Sequence, residues 1–218
     1  MSNVAVLHSY FRSSCSWRVR IALNYKQVQY TQKSVHLLNN GGEQHSDEYK
    51  SVNPMEQVPT LVIDGLTLTQ SLPIMEYLEE SRPDIHPLLP GDPKDRVRVR
   101  QIAEIINSGI QPVQNLSVLQ AVGPERKMKW GHDAIHKGFV AIEDLLKAHS
   151  TGKYCIGDNV TIADICLVPQ VYNASRFKVD MALFPTIARI NSALEELPEF
   201  KKAHFTVQPD TPEELKKS

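Results

Sequence analysis

Val4-Ala5-Val6-Leu7-His8-Ser9-Tyr10-Phe11-Arg12-Ser13-Ser14-Cys15-Ser16-Trp17-Arg18-Val19-Arg20-Ile21-Ala22-Leu23 is the stretch whose reading decides the fold. Residues 4–9 form a short apolar run that reads as a buried strand. The following Arg12-Ser13-Ser14-Cys15 is polar enough to cap a helix, which should start near Cys15 or Ser16. In that helix Trp17, Val19, Ile21, Ala22 and Leu23 cover one wide face suited to packing on a sheet, while Arg18, Arg20 and Asn24 can point elsewhere.

Outward from this unit, Val28-Gln29-Tyr30-Thr31 alternates at period two and predicts a second strand, before Asn39-Asn40-Gly41-Gly42 breaks regular structure. Val58-Pro59-Thr60-Leu61-Val62-Ile63, the pair Asp64-Gly65 and Leu66-Thr67-Leu68 read as a hairpin, because Asp-Gly between apolar runs favours a tight primed turn. Gln70-Ser71 opens a helix with Ile74, Met75, Tyr77 and Leu78 inward, stopped by Arg82-Pro83. The order is βαβ, a short helix, then ββα. From Leu88 onward the strand signal vanishes, and stretches such as 97–106, 134–147 and 162–172 carry helical periodicity. The expectation is therefore α/β plus all-α, with one domain over 1–83, an all-helical bundle over 88–218, and the proline-rich piece 82–87 connecting them. The polar tail 209–218 is expected to run over the surface.

The bulk numbers fit this. A chain of 218 residues, 41% hydrophobic and 22% charged, can build a sizeable core and exceeds the usual single domain. Its formal net charge is −1, and its Lys and Arg residues are scattered, so it lacks the footprint of a nucleic-acid or anionic-membrane binder, and a small-molecule ligand is expected. No apolar run suits a secretory segment or a membrane span, which predicts a cytoplasmic protein. Cys15, Cys155 and Cys166 show no CxxC spacing, which argues against a disulfide framework and a thiolate zinc site. Cys155 and Cys166 read as inert core residues. His132 and His136 stand at i and i+4, a spacing that can chelate zinc, but the third ligand is missing and Asp133 replaces the expected glutamate, so no metal is expected. Thr161-Ile162-Ala163-Asp164 is similar to an N-capping box and reads as folding chemistry.

The chemistry points to Ser13, Ser14 and Cys15. A hydroxyl at a helix N-terminus, among free N–H groups and the positive end of the helix dipole, is well placed to bind an anion such as a thiolate. A thiol of pKa about 8.5 is only slightly ionised at neutral pH; lowering it by about two units needs roughly 2.7 kcal/mol of preferential thiolate stabilisation. One or two hydrogen bonds plus the dipole can supply it. The bland reading is a serine pair that only caps a helix.

Ser13 to Leu23, together with Asn53-Pro54-Met55-Glu56-Gln57-Val58-Pro59-Thr60-Leu61, Gln70-Ser71-Leu72-Pro73-Ile74, Gln111-Pro112-Val113-Gln114-Asn115-Leu116-Ser117-Val118 and Cys166-Leu167-Val168-Pro169-Gln170, resembles the zeta class of glutathione transferases over nearly the whole chain. The resemblance implies a thioredoxin-like N-terminal domain, a helical C-terminal domain, glutathione as cofactor and a cytoplasmic homodimer. The activity it implies is isomerisation of maleylacetoacetate in tyrosine and phenylalanine catabolism. It makes Ser13, Ser14 and Cys15 the catalytic group, Ser13 first, and adds Ser16, Trp17 and Arg18 to the glutathione site. Gln44 would meet the glycyl end, the Val58 backbone the cysteinyl part beside a cis Pro59, and Gln70 and Ser71 the γ-glutamyl carboxylate. Gln111, Asn115, Leu116 and Ser117 are either ligand contacts from the helical domain or ordinary helix packing. Arg176, then Arg12, would anchor substrate carboxylates, against the alternative of surface arginines. Three rivals stay open: a maleylpyruvate isomerase, a thiol or dehydroascorbate reductase working through the Cys-x-x-Arg of Cys15 to Arg18, and a binding protein without turnover. The sequence departs from the class at Pro73, which a first helical turn tolerates, and by an extra residue in the connector 82–90, expected to shift only a surface loop.

Overall fold

Turn chemistry and apolar alternation build the sheet. The computed structural model describes residues 4–149 and 152–216. In it β1 (Ala5–Ser9) turns Ala5, Leu7 and Ser9 inward. β2 (Tyr30–Ser34) runs parallel to β1, β3 (Thr60–Ile63) runs antiparallel on its other side, and β4 (Leu66–Thr69) lies at the edge, in the order β2-β1-β3-β4. β2 starts two residues later than the alternation at 28–31 suggests, because the Val28 N–H donates to Leu23 O at 2.9 Å and closes the preceding helix. Asp64 (φ 53°) and Gly65 (φ 78°) are both left-handed, the backbone a tight primed hairpin needs.

Between the strands lie α1 (Ser14–Tyr25) and α2 (Asp47–Val52), and α3 (Ser71–Ser81) follows β4. Pro73 costs α3 nothing, since the first i→i−4 bond is made by Ile74 N–H to Gln70 O at 3.1 Å. Ile74, Met75 and Leu78 are buried as expected. Tyr77 is only half-buried and donates to Asp64. Its expected place inside is shared by Glu79, whose carboxylate meets the fully buried Lys26 ammonium, a pair that also bonds Arg82 O.

The second half is helical: α4 (Pro93–Glu104), a π turn (Ile105–Ile110), α5 (Leu116–Val122), α6 (Lys127–His149), α7 (Ile162–Arg176) and α8 (Pro185–Glu195). The capping box at α7 is present: the Thr161 N–H and hydroxyl both donate to Asp164 Oδ2, and Cys155 N–H donates to Oδ1 at 2.9 Å. Asp164 is fully buried, and burial pushes its carboxyl up despite these donors. Cys155 and Cys166 are both 0% exposed, and burial holds the Cys155 thiol well above its usual range. A side chain at Gly138 of α6 would strike Ile110 of the π turn at 2.3 Å, so glycine permits this close approach.

α9 (Pro198–Ala203) follows, and here the boundaries differ from expectation. Among the described residues, 4–86 and 198–216 form one compact unit, and those within 87–197 the other. The C-terminal stretch assigned to the helical domain by pattern packs on α1 instead. Asn24 Nδ2 donates to Glu199 O, and the Trp17 ring meets His204 and Phe205 edge-on at centroid distances of 4.9 and 5.7 Å. Covered also by α3, α1 is buried all round from Trp17 to Leu23. That is why Arg18 (1% exposed) and Arg20 (0%) face inward, against the amphipathic reading. The tail differs too: Gln208 and Thr211 are buried and Asp210 bonds the sheet unit, while residues 213–216 are exposed as expected. Lys217 and Ser218 lie outside the described residues. Among the described residues no helix is long and apolar enough to cross a membrane.

Candidate active site

The turn after β1 delivers the chain into α1. Ser13 N–H donates to Tyr10 O at 3.0 Å, and Ser13, with φ −66° and ψ 119°, is the N-cap. Its hydroxyl oxygen accepts from Ser16 N–H at 3.2 Å and its carbonyl accepts from Trp17 N–H at 2.9 Å. The helix thus begins one residue ahead of expectation, and the bland capping reading of Ser13 is correct as far as it goes. It leaves chemistry unused. A hydroxyl that accepts still has its own proton to donate. The N–H groups of Ser14 and Cys15 find no acceptor among the described residues. Two open amides, a hydroxyl proton and the positive end of a 12-residue helix therefore converge on one spot, the ingredients of an anion site. Ser14 is buried at 8% exposure, Cys15 is half-buried and Ser16 fully buried. The Trp17 ring packs edge-on against His204 and Phe205.

Arg18 ties this helix mouth to that of α3. Its Nη1 donates to Ser71 Oγ at 3.2 Å and lies 3.8 Å from Cys15 Sγ. At α3 the pattern of open donors recurs, for Ser71 and Leu72 N–H also lack acceptors among the described residues. Gln70, in front of them, is held at φ 67° and ψ 125°, a conformation costing a non-glycine residue about 1–3 kcal/mol, and such strain collects at functional sites. Its exposed amide makes no capping bond.

The Val58–Pro59 peptide is cis. The segment before it is fastened by residues that no motif announced: Gln57 O accepts from Tyr49 OH at 2.7 Å and Asn53 Nδ2 at 2.6 Å, and Thr60 Oγ1 joins both. All three donors and acceptors are buried side chains, and burial pushes the Tyr49 phenol up. Gln44 is also buried and its Nε2 meets His45 Nε2 at 3.0 Å, with His45 Nδ1 on Glu56. Gly42, at φ 106°, is what lets Gln44 fold back, since a Cβ there would lie 2.5 Å from the amide.

The remaining candidates belong to the second unit, apart from Arg12, whose guanidinium lies 5.9 Å from the centre of the Phe11 ring. Gln111, Asn115, Leu116 and Ser117 do not all lie on one helix. Gln111 closes the π turn through its N–H to Ile106 O, a non-helical turn follows, Asn115 is the N-cap of α5, and Leu116 and Ser117 open it. Arg176 is the last residue of α7, exposed, with Nη1 on Asn173 Oδ1 at 3.3 Å and its guanidinium about 6 Å from the Tyr172 and Phe177 rings. His132 and His136 stack at 5.9 Å; no group of three or more metal-ligating side chains assembles among the described residues.

A β2-β1-β3-β4 sheet with a cis proline ahead of β3 and a partly helical chain beyond it defines the thioredoxin-like, glutathione-transferase class of fold. Residues 12–81 match the glutathione S-transferase N-terminal domain and residues 118–203 the C-terminal domain. Maleylacetoacetate isomerase of Rattus norvegicus is 56% identical over 97% of both chains, and probable maleylacetoacetate isomerase 2 of Drosophila melanogaster 57% over 96% of this chain and 92% of its own. Among solved structures, a bacterial zeta-class maleylpyruvate isomerase superposes with TM-score 0.91 at 39% identity, covering 95% of this chain and all of that one. Maleylacetoacetate isomerase of Anaeromyxobacter dehalogenans with bound glutathione superposes at 0.86 and 42%, covering 96% and 98%. The chain belongs to the glutathione S-transferase family, in its zeta class.

Proposed function

We propose that this chain catalyses the glutathione-dependent cis–trans isomerisation of maleylacetoacetate to fumarylacetoacetate, with glutathione transferase side activity. The observation that carries the reading is the pair of open Ser14 and Cys15 N–H groups beside the Ser13 hydroxyl, in a chain whose relatives bear that isomerase's name. The donor set fits the cofactor. Glutathione has one thiol and two carboxylates, and the site offers an anion-binding helix mouth, the open Ser71 and Leu72 amides backed by Arg18, and the Gln44 amide.

When bound, glutathione supplies a thiolate that adds to the cis double bond and leaves again after rotation about the resulting single bond. The Ser13 hydroxyl would donate a hydrogen bond to that sulfur while keeping its proton, and the Ser14 and Cys15 amides with the α1 dipole would hold the negative charge. Ser71 and Gln70 seat the γ-glutamyl carboxylate, Gln44 the glycyl one. Val58 pairs with the cysteinyl backbone, and Ser16, Trp17 and Arg18 back the pocket. Ligand contacts are proposed for Gln111, Asn115, Leu116 and Ser117, and a substrate-carboxylate anchor for Arg176, with Arg12 second, through the bidentate fork of the guanidinium. The chain works in the cytosol as a homodimer, which sedimentation of the purified protein tests.

A second reading has one observation in its favour: a guanidinium beside the half-buried Cys15 sulfur is an arrangement that suits thiol–disulfide exchange. Spectrophotometry of the purified protein with maleylacetoacetate and maleylpyruvate, each with and without glutathione, decides. Loss of substrate absorbance only with glutathione supports the isomerase; dehydroascorbate reduction without isomerisation would replace it.

A further inference from the structure

Asp210 stands outside every motif of the active site, yet its carboxylate reaches the turn that builds it. Oδ2 accepts from Phe11 N–H at 2.8 Å and Oδ1 accepts from Gln32 Nε2 of β2 at 2.9 Å. The opposite side of the same turn is held by Arg20. Nη1 bonds Ser9 Oγ at 3.0 Å and Tyr10 O at 3.4 Å, Nη2 bonds Phe11 O at 2.9 Å, and Nε bonds Ala203 O at 3.1 Å. Burial lowers the Arg20 guanidinium to about 10, so it is still charged at neutral pH, with Asp210 among the groups that favour the charge. Two residues after Phe11 comes Ser13.

Asp210 is itself rigidly mounted. Thr211 N–H donates to Gln208 O and Gln208 N–H to Thr211 Oγ1, the Thr211 hydroxyl donates to Phe205 O, and the Gln208 amide donates to Lys202 O and His204 O. An exposed tail that merely packed would need no such scaffold. Here it presents one carboxylate to one backbone N–H of a turn whose carbonyls are already fixed.

We propose that Asp210, with Arg20 behind it, is a positioning residue: it holds the turn of residues 10–12 so that the helix mouth of Ser13, Ser14 and Cys15 meets the glutathione sulfur. This rests on the reading of that mouth as the thiol site. A preorganised group must be held to within about 0.5 Å, and a displacement of 1 Å can cost about a hundredfold in rate.

The test compares Asp210→Ala, Asp210→Asn and Ser13→Ala, following kcat and KM, the ultraviolet absorbance of enzyme-bound thiolate against pH, and the thermal unfolding midpoint. Asparagine keeps an oxygen for Phe11 N–H. The expected result for Asp210→Ala is a fall in kcat/KM of roughly tenfold to a hundredfold with the bound-thiol titration moved upward, and substantial recovery in Asp210→Asn. A loss of thermal stability in Asp210→Ala with an unmoved thiol titration and unchanged kcat overturns the proposal, leaving Asp210 a structural residue. If Ser13→Ala shifts the titration and Asp210→Ala does not, the inference alone fails. If Asp210→Ala shifts it and Ser13→Ala does not, Asp210 still controls the helix mouth, and the role given to the Ser13 hydroxyl is what fails.

Discussion

The Ser13 hydroxyl closes the helix through its oxygen, which accepts from Ser16 N–H, and this leaves its proton for the proposed thiol site. Replacing Ser13 with alanine should cost about 1 kcal/mol of stability through the lost cap. The larger effect is expected on the sulfur: kcat/KM about a hundredfold lower, equivalent to about 2.7 kcal/mol, whereas Cys15→Ser keeps most of the activity. Steady-state kinetics on both variants checks this, and the reverse weighting would favour the reductase. The cap was legible because its signal is local, a polar triplet between an apolar run and a helical one. Arg18 and Arg20 were not. An amphipathic pattern assumes one covered face, and α1 is covered on two, by α3 and by a segment nearly 200 residues away in the chain; the Phe11 to Asp210 bond spans |i−j| of 199.

At the scale of elements, the same division holds between local and distant determinants. The Asp64-Gly65 hairpin and the Thr161-Asp164 box were readable because each is closed within a few residues. The N-terminus of α8 was not, because its cap comes from α6: Glu143 accepts from Thr186 N–H and Ile187 N–H, both at 3.0 Å, with only 2% of the residue exposed. Burial pushes this carboxyl up, but the Ile187 and Thr186 backbone donors, the Thr186 side chain and the Lys147 ammonium together hold it below the ordinary glutamate range. Its stabilisation is therefore complete above the unfolded value of about 4.3 and is lost as pH falls through the lower folded value. Glu143→Gln should destabilise the chain by about 2 kcal/mol at pH 7, with the gap between parent and variant closing below about pH 4. Urea unfolding across that range tests it. A gap that widened in acid would mean the carboxylate is not the form being bound.

For the whole molecule, the decisive feature is that the chain returns: residues from 198 onward complete the unit that residues 4–86 begin. Hydrophobic periodicity identifies that an element exists and says nothing of which distant surface it covers, so the tail looked like a surface appendage. Its two parts should behave oppositely on deletion. Residues 213–216 are exposed, so a chain ending at Thr211 should keep the parent's midpoint of thermal unfolding and its activity, within the roughly 0.5 kcal/mol of ordinary surface changes. A chain ending at Leu197 loses the Ala203 carbonyl and Asp210 that partner Arg20 and Phe11 N–H, and strips His204 and Phe205 from the Trp17 ring. Each buried polar group left unmet costs about 1–3 kcal/mol, and a buried cation without its partners costs more. Several such losses together exceed what a marginally stable domain can absorb. The shorter chain should show early unfolding by circular dichroism, solvent-exposed Trp17 fluorescence and no retention on immobilised glutathione; an unaltered melting curve would show that the returning segment is dispensable to the fold it covers.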